Sequence, residues 1–370
     1  MTTQADALAL GWLSALLGLA PSTTGAFSHD GESANLEGLA CAQYRMLNGH
    51  AEGLAYCSED TDPLLERVMR QLGFAEGSVR RLPCVDGRLD AFALARRVRQ
   101  DRLAGRCPFC VVANAGTADT GAVDNLVLLA QVCKVEGLWL HVDGSRGAAA
   151  AMTERGSKLL RGLAGADSLA LDLQQALLQP HPLGCLLLRD GAALDETLRS
   201  RSAATAHDEA HSHSITQESK ALQLWSTLKA CGAEPFRQEA DRRMRLADLA
   251  EAWVRRQTGW QIMSRSQLGI VTFRFKPAGV SEHEADRLQA GLAAEAQRKG
   301  LALLSTTRTK GRLALRLYTT HRVIDEAELQ VTLQWLLRQA ALQQRRALRE
   351  ASRSQHDAQH DHREAADTTF

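Results

Sequence analysis

LWLHVDGSRGAAAAMTERGSKLLRGLAGADSLALDLQQALLQPHPLGCLLL, residues 138–188, is the stretch whose reading decides the fold. Its apolar runs predict two buried parallel strands, 138–143 and 168–172, joined by a helical crossover. The first strand would deliver Asp143 at its carboxyl end, and the second would deliver Asp172, Gln174 and Gln175 to the matching end. Carboxyl ends of strands in an open α/β sheet are where ligands bind. GCLLLRD (184–190) reads as one more strand.

Outward from this stretch, strands and helices alternate. Strands are expected near Gly25–Ser28 and over 53–58, 78–84 and 110–116. Asp62, with Pro63 behind it, is expected to cap a helix that ends at Gly73. Asp90 caps an arginine-rich helix, and Asp124 one that runs to about Glu136 before Gly137. This alternation means crossover units and a mostly parallel sheet.

The expected division is an N-terminal helix (1–20), an α/β large domain (21–205), a polar loop or hinge (206–219), a small α+β C-terminal domain (220–345) and a disordered charged tail (346–370). In the C-terminal part, helices at 219–231 and 235–257 precede a strand at 268–275. Ser281 and Glu284 form a capping box, Lys310–Gly311 turns a hairpin, and a last helix starts near Asp325.

The chain has 370 residues, with 44 Lys+Arg against 43 Asp+Glu and a net charge of +1. No overall field draws it to nucleic acid or to an anionic membrane, and no apolar run is long enough to span a bilayer. The arginines at 96, 97, 99, 242, 243 and 245 read as solvated helix faces before they read as a docking surface. Eight cysteines, mostly in apolar runs, suggest a reduced cytoplasmic protein. Cys107 and Cys110 have redox spacing but open a strand, which favours packing. The histidines at 207, 211 and 213, and those at 356, 360 and 362, lack the framework of a metal site, so none is assigned.

CVVANAGTADTGAVDNL (110–126), LWLHVDG (138–144) and KALQLWSTLKACGAEPF (220–236) occur in the order and spacing of a known family. Together they resemble the group II pyridoxal-phosphate-dependent amino-acid decarboxylases, which act on aromatic amino acids, histidine or glutamate. The resemblance runs from about Leu10 to Leu337. It implies a fold-type I large domain with a seven-stranded, mostly parallel sheet, a small C-terminal domain, pyridoxal 5′-phosphate as cofactor, and a dimer. It also implies that Asp143 faces the pyridine nitrogen, that Thr117 lies beside the ring, and that Ser145 stands where the family commonly has alanine.

Other positions depart from the family pattern. Its Asn-Pro-His-Lys becomes Asp172-Leu173-Gln174-Gln175, so the Schiff-base lysine is Gln175 and the histidine before it is Gln174. A carboxamide is neither nucleophilic nor able to form an imine. The phosphate loop becomes His29-Asp30-Gly31-Glu32-Ser33, whose carboxylates would cap the helix themselves and repel a phosphate, although Ser28, His29 and Ser33 remain as donors. The ring-stacking histidine falls at Asp62, no tyrosine lies in the loop 199–219, and the chain begins near the end of the family's N-terminal arm.

These departures predict a degenerate decarboxylase homologue. It would act as the partner of a second copy or of an active paralogue, or as a binder of a small amino-acid-like ligand. The alternative is an active decarboxylase that holds its cofactor without a covalent link.

Overall fold

The computed structural model describes residues 4–191, 197, 222, 224–301, 303–319 and 324–345. The loop 206–219 with His207, His211 and His213, and the tail 346–370, lie outside the described residues. The chain divides into two compact units, Met1–Arg245 with Gln267–Gly269 and Leu246–Ser266 with Ile270–Phe370. The described residues 224–245 thus belong to the first.

In the first unit, seven strands form one sheet: β1 (Thr24–Ser28), β2 (Leu54–Ser58), β3 (Val79–Leu82), β6 (Pro108–Asn114), β7 (Trp139–Asp143), β8 (Ser168–Asp172) and β9 (Gly184–Leu188). A small ribbon of β4 (Cys84–Val85) and β5 (Arg88–Leu89) stands apart. The order across the sheet is β1-β9-β8-β7-β6-β2-β3. The links from β8 to β3 are all parallel, and β9 runs antiparallel to both its neighbours. The fold is therefore the expected α/β architecture.

Both faces of this sheet are covered, which explains its near-continuous apolar strands. Successive side chains alternate between two cores. Tyr56, Val111, Ala113, Leu140 and Val142 enter one, while Ala55, Cys57, Cys110, Val112 and Trp139 enter the other. Cys110 is buried at the start of β6, Cys107 is exposed, and both are free thiols.

Helix starts follow local cap chemistry. α1 spans Gln4–Leu16, and α2 (Gly31–Leu47) is capped by Asp30. α3 (Leu64–Gln71) begins one residue later than expected, with Asp62 Oδ1 accepting the Leu64 N–H at 2.9 Å. Asp90 caps α4 (Ala91–Leu103). α5 (Leu126–Glu136) is capped by Asn125, not by Asp124. The Asp124 carboxylate instead accepts the backbone N–H groups of Leu89 and Asn114, each at 2.7 Å.

The second unit carries a four-stranded sheet in the order β10-β11-β13-β12, with β10 at Trp260–Gln267, β11 at Ile270–Phe275, β12 at Leu304–Thr309 and β13 at Arg312–Tyr318. β10 was not foreseen; most of its residues are only half-buried, as at a sheet edge. Ser281 and Glu284 form the expected capping box on the helix Glu282–Arg298. Lys310 and Gly311, at φ +52° and +74°, turn the hairpin. Residues 326–345 are helical. Among the described residues no helix is long and apolar enough to cross a membrane.

Candidate functional site

β7 ends in Asp143, flanked in register by Asn114 at the end of β6 and Ala170 in β8. Asp143 Oδ1 accepts from Asn35 Nδ2 (3.3 Å) and Ser145 N (3.1 Å), and also from Ser145 Oγ. Its second oxygen, Oδ2, accepts nothing from the described residues. Asn35, one turn into α2, also donates to Gly31 O at 3.0 Å and to Ser145 Oγ at 3.2 Å. Asn35 Oδ1 lies 2.8 Å from His141 Nε2. His141 Nδ1 is 2.8 Å from Ser168 Oγ, which Trp139 Nε1 also meets at 2.8 Å. Burial pushes the His141 imidazole down to about 4, so it is neutral near pH 7.

Asp172 ends β8 and caps the single helical turn Leu173–Ala176, with its Oδ1 accepting the Gln175 N–H at 3.2 Å. Burial raises its carboxyl above the usual range, against the backbone bonds from Gln175 and Gln174. Gln175 O accepts from Arg243 Nη1 at 2.9 Å. The first turn of α2 meets this strand end directly. A Cβ placed on Gly31 would lie 3.0 Å from Asp172 Cβ and 3.4 Å from Ser145 Oγ.

The remaining expected site residues are engaged within the chain. Ser33 N and Oγ both reach Asp30 Oδ1 at 2.8 Å, and Ser28 Oγ donates to Glu37 at 2.5 Å. Glu32 pairs with Arg67. Thr117 is buried in a turn, where its hydroxyl meets Thr120 Oγ1 (2.8 Å) and Ala122 N (3.1 Å). Asp62 and Asp143 line one small cavity with Asn35 and Thr61.

Of the basic runs, Arg97 pairs with Asp101, Arg99 with Glu136, and Arg242 and Arg243 with Glu239. Of the lysines, Lys158 pairs with Glu154 and Lys276 with Glu282, while Lys229 lies over Trp225. Among the described residues no group of three or more His, Cys, Asp or Glu side chains could hold a metal ion.

Asn35 and His141 were not singled out by sequence reasoning. The only available signals were the inward alternation of His141 in LHVD and the position of Asn35 four residues after Gly31, which lets its amide reach the first turn's carbonyl.

The site can be tested against a phosphorylated pyridine aldehyde, the group the resemblance implies. Asp143, which the resemblance would set against the ring nitrogen, is compatible with it, because its Oδ2 takes no bond from the described residues. The attachment end does not fit, since Gln175 supplies no amine. Nor does the phosphate end, where the Ser33 donors already serve Asp30. Of the residues that the resemblance names, Gln175 and Ser33 thus fit a covalent, phosphate-anchored cofactor poorly.

Comparison with known proteins gives a consistent family. The chain is similar to an aromatic-L-amino-acid decarboxylase from Bacillus atrophaeus, 34% identical over 342 residues, covering 89% of this chain and 71% of that protein. It is similar to an L-2,4-diaminobutyrate decarboxylase from Acinetobacter baumannii, 26% identical over 349 residues, covering 85% and 68%. In fold it matches a crystal structure of Oryza sativa TDC with PLP and tryptamine at a TM-score of 0.83 and 22% identity, covering 92% of this chain and 76% of that one. The model of the pyridoxal-dependent decarboxylase conserved domain matches residues 6–276. With that match over most of its length, the chain belongs to the pyridoxal-dependent decarboxylase family.

Proposed function

We propose that this chain keeps the decarboxylase scaffold but has left lysine-dependent catalysis, and that it serves as a non-catalytic partner or small-ligand binder. Family membership implies pyridoxal phosphate as the family's cofactor. The single observation that carries the proposal is the glutamine, Gln175, in the helical turn after β8 where the resemblance would put the family lysine, its backbone held by Asp172 and Arg243. An imine needs a primary amine, and a carboxamide cannot replace one. The engaged Ser33 donors and the carboxylates of Asp30 and Glu32 support the same reading. In this reading the chain works in the cytoplasm as a dimer, with a second copy or with an active paralogue.

The test is spectroscopic. Purified protein mixed with pyridoxal phosphate should show no imine band at the visible edge, and borohydride should fix no cofactor at the site. The combined variant Gln175→Lys, Asp30→Ser and Glu32→Ser should gain both. An imine on the unaltered chain, or amino-acid decarboxylation by it, would sink the proposal. One observation favours a second reading, an enzyme with non-covalently held cofactor: the unbonded Oδ2 of Asp143. Turnover without any borohydride-trapped adduct would decide for it.

A further inference from the structure

Helices α4 and α5 each carry two apolar stripes, and the sheet uses only one. Leu94 and Val98 of α4, with Leu126, Leu129 and Cys133 of α5, pack into the core beneath them. Phe92, Ala95 and Leu103 of α4, with Leu128, Val132 and Val135 of α5, line an outer groove of about 560 Å³. A helix that covers a sheet needs a single apolar face. Among the described residues the three most exposed large apolar side chains are Leu103 (90%), Phe92 (80%) and Val135 (76%), and all three stand here. Single exposed apolar residues are ordinary, but a contiguous set marks an interaction site.

The charge on this groove is one-sided. Glu136, the one carboxylate that lines it, is buried and held by Arg99 and Arg102. Arg96 lies one turn beyond Phe92, exposed, with no hydrogen-bond or ion-pair partner among the described residues. An apolar trough with an unneutralised guanidinium on its wall complements an apolar surface that carries a carboxylate. A second copy seated by a twofold axis would bring the same arginines together, so like charge opposes self-association.

The shape suits a helix better than a small amphiphile. Phe92 and Leu128 stand in the first turns of their helices, Leu103 and Val135 in the last. The trough thus runs three turns, about 16 Å at the ordinary helical rise. It is open along its length, whereas a small ligand has most of its surface enclosed. A partner helix, about 10 Å across, covers both walls at once.

We propose that the α4–α5 groove docks an amphipathic helix of another protein, through a three-turn apolar stripe flanked by a carboxylate that reaches Arg96. Docking here does not depend on the chemistry of the cleft, so an imine trapped by borohydride on the unaltered chain would leave it standing.

The probe is a phage-displayed library of helix-forming peptides of about 16 residues, selected on the full chain and counter-selected on Phe92→Gln/Leu103→Gln. Both residues are exposed and glutamine is a good helix former, so that variant should keep its melting temperature. Enriched sequences should carry apolar residues at i, i+4, i+7 and i+11 and at least one Glu or Asp beside them. By fluorescence polarisation, a synthetic copy should bind the unaltered chain at least tenfold more tightly than the double variant. Arg96→Gln should weaken it at least fivefold, and the same peptide with Gln for its acidic residue should lose nothing further on Arg96→Gln. The proposal is overturned if no sequence is enriched over the double variant, or if Arg96→Gln binds the peptide as well as the unaltered chain. It is overturned in favour of a second copy if sedimentation shows an oligomer that the double variant dissolves. Flotation of the chain with anionic phospholipid vesicles, abolished in the double variant, would overturn it in favour of a lipid surface.

Discussion

His141 Nε2 and Asn35 Oδ1 lie 2.8 Å apart, and this one contact sets the direction of a row of hydrogen bonds. The Asn35 amide orientation is fixed because its nitrogen faces three acceptors, Gly31 O, Asp143 Oδ1 and Ser145 Oγ. Its oxygen can only accept, so His141 carries its proton on Nε2. Neutral His141 then accepts at Nδ1 from Ser168 Oγ, which in turn accepts from Trp139 Nε1. Every donor points towards Asp143. Its Oδ1 takes three bonds, and its Oδ2 takes none from the described residues.

The first prediction follows from that neutral imidazole. Burial lowers His141 from 6.5 in the unfolded chain to about 4 in the fold. A base whose folded pKa is depressed contributes stability that is complete above pH 6.5 and is lost as pH falls through 4. The loss amounts to roughly 1.4 kcal/mol per pH unit, on the order of 3 kcal/mol in all. Asp124, Asp167 and Asp172, raised by burial, act in the opposite sense as they protonate. The difference between the unaltered chain and His141→Gln therefore isolates the histidine. Urea unfolding between pH 7 and 4.5 should be steeper in pH for the unaltered chain. Nitrogen NMR should show the Nε2–H tautomer still present at pH 5.

Asp124 gives a second prediction. It is buried and holds Leu89 N and Asn114 N at 2.7 Å, and Asn114 Nδ2 at 3.1 Å. Removing the carboxylate strands two buried backbone N–H groups, each costing about 1–3 kcal/mol. Asp124→Ala should lower stability by about 2–5 kcal/mol. Asn125→Ala, which removes only the α5 cap, should cost about 1 kcal/mol. Thermal melts of the two variants should separate in that order; the reverse order would contradict the assigned roles.

That pair also shows where sequence reading stops. Asp124 and Asn125 are both good caps, and nothing local chooses between them; the ends of β5 and β6 claim the aspartate. The strands β7 and β8 were legible because burial on both faces leaves an unbroken apolar run. β10 was not, because WQIMSRSQ turns polar halfway, as an edge strand can. The cap at Asp30 was readable from HDGES alone. The Asn35–His141 contact joins residues 106 apart in the chain, so it exists only once α2 packs on the sheet.

Glycine contacts make a third prediction. A methyl group on Gly184 would lie 1.9 Å from Asp30 O and 2.4 Å from Asp30 C, backbone atoms that no rotamer change can move. Gly184→Ala should cost about 3 kcal/mol or more and displace the Asp30 turn. Gly11, within α1, has nothing within 4 Å of its would-be Cβ. Gly11→Ala should therefore stabilise by about 0.5–1 kcal/mol. Equal melting temperatures for the two variants would refute the close approach.

The fourth prediction concerns Arg274, fully buried on β11. Its Nη2 meets Glu282 O at 2.9 Å, Glu282 Oε2 at 3.2 Å and Asp286 Oδ1 at 2.9 Å. Its Nε and Nη1 are buried without a partner among the described residues. The guanidinium is thus only half satisfied, and desolvating it offsets much of what its ion pairs contribute. Arg274→Ala removes the ion pairs and leaves a cavity, and should cost about 3–5 kcal/mol. Arg274→Met keeps most of the volume and removes the unpaired donors. Glu282 and Asp286, both partly exposed, can rehydrate when the arginine goes. The methionine variant should then stay within about 1 kcal/mol of the unaltered chain or exceed it. If denaturant titration instead shows methionine costing as much as alanine, the charge itself, not the packed stem, holds β11 to the helix Glu282–Arg298.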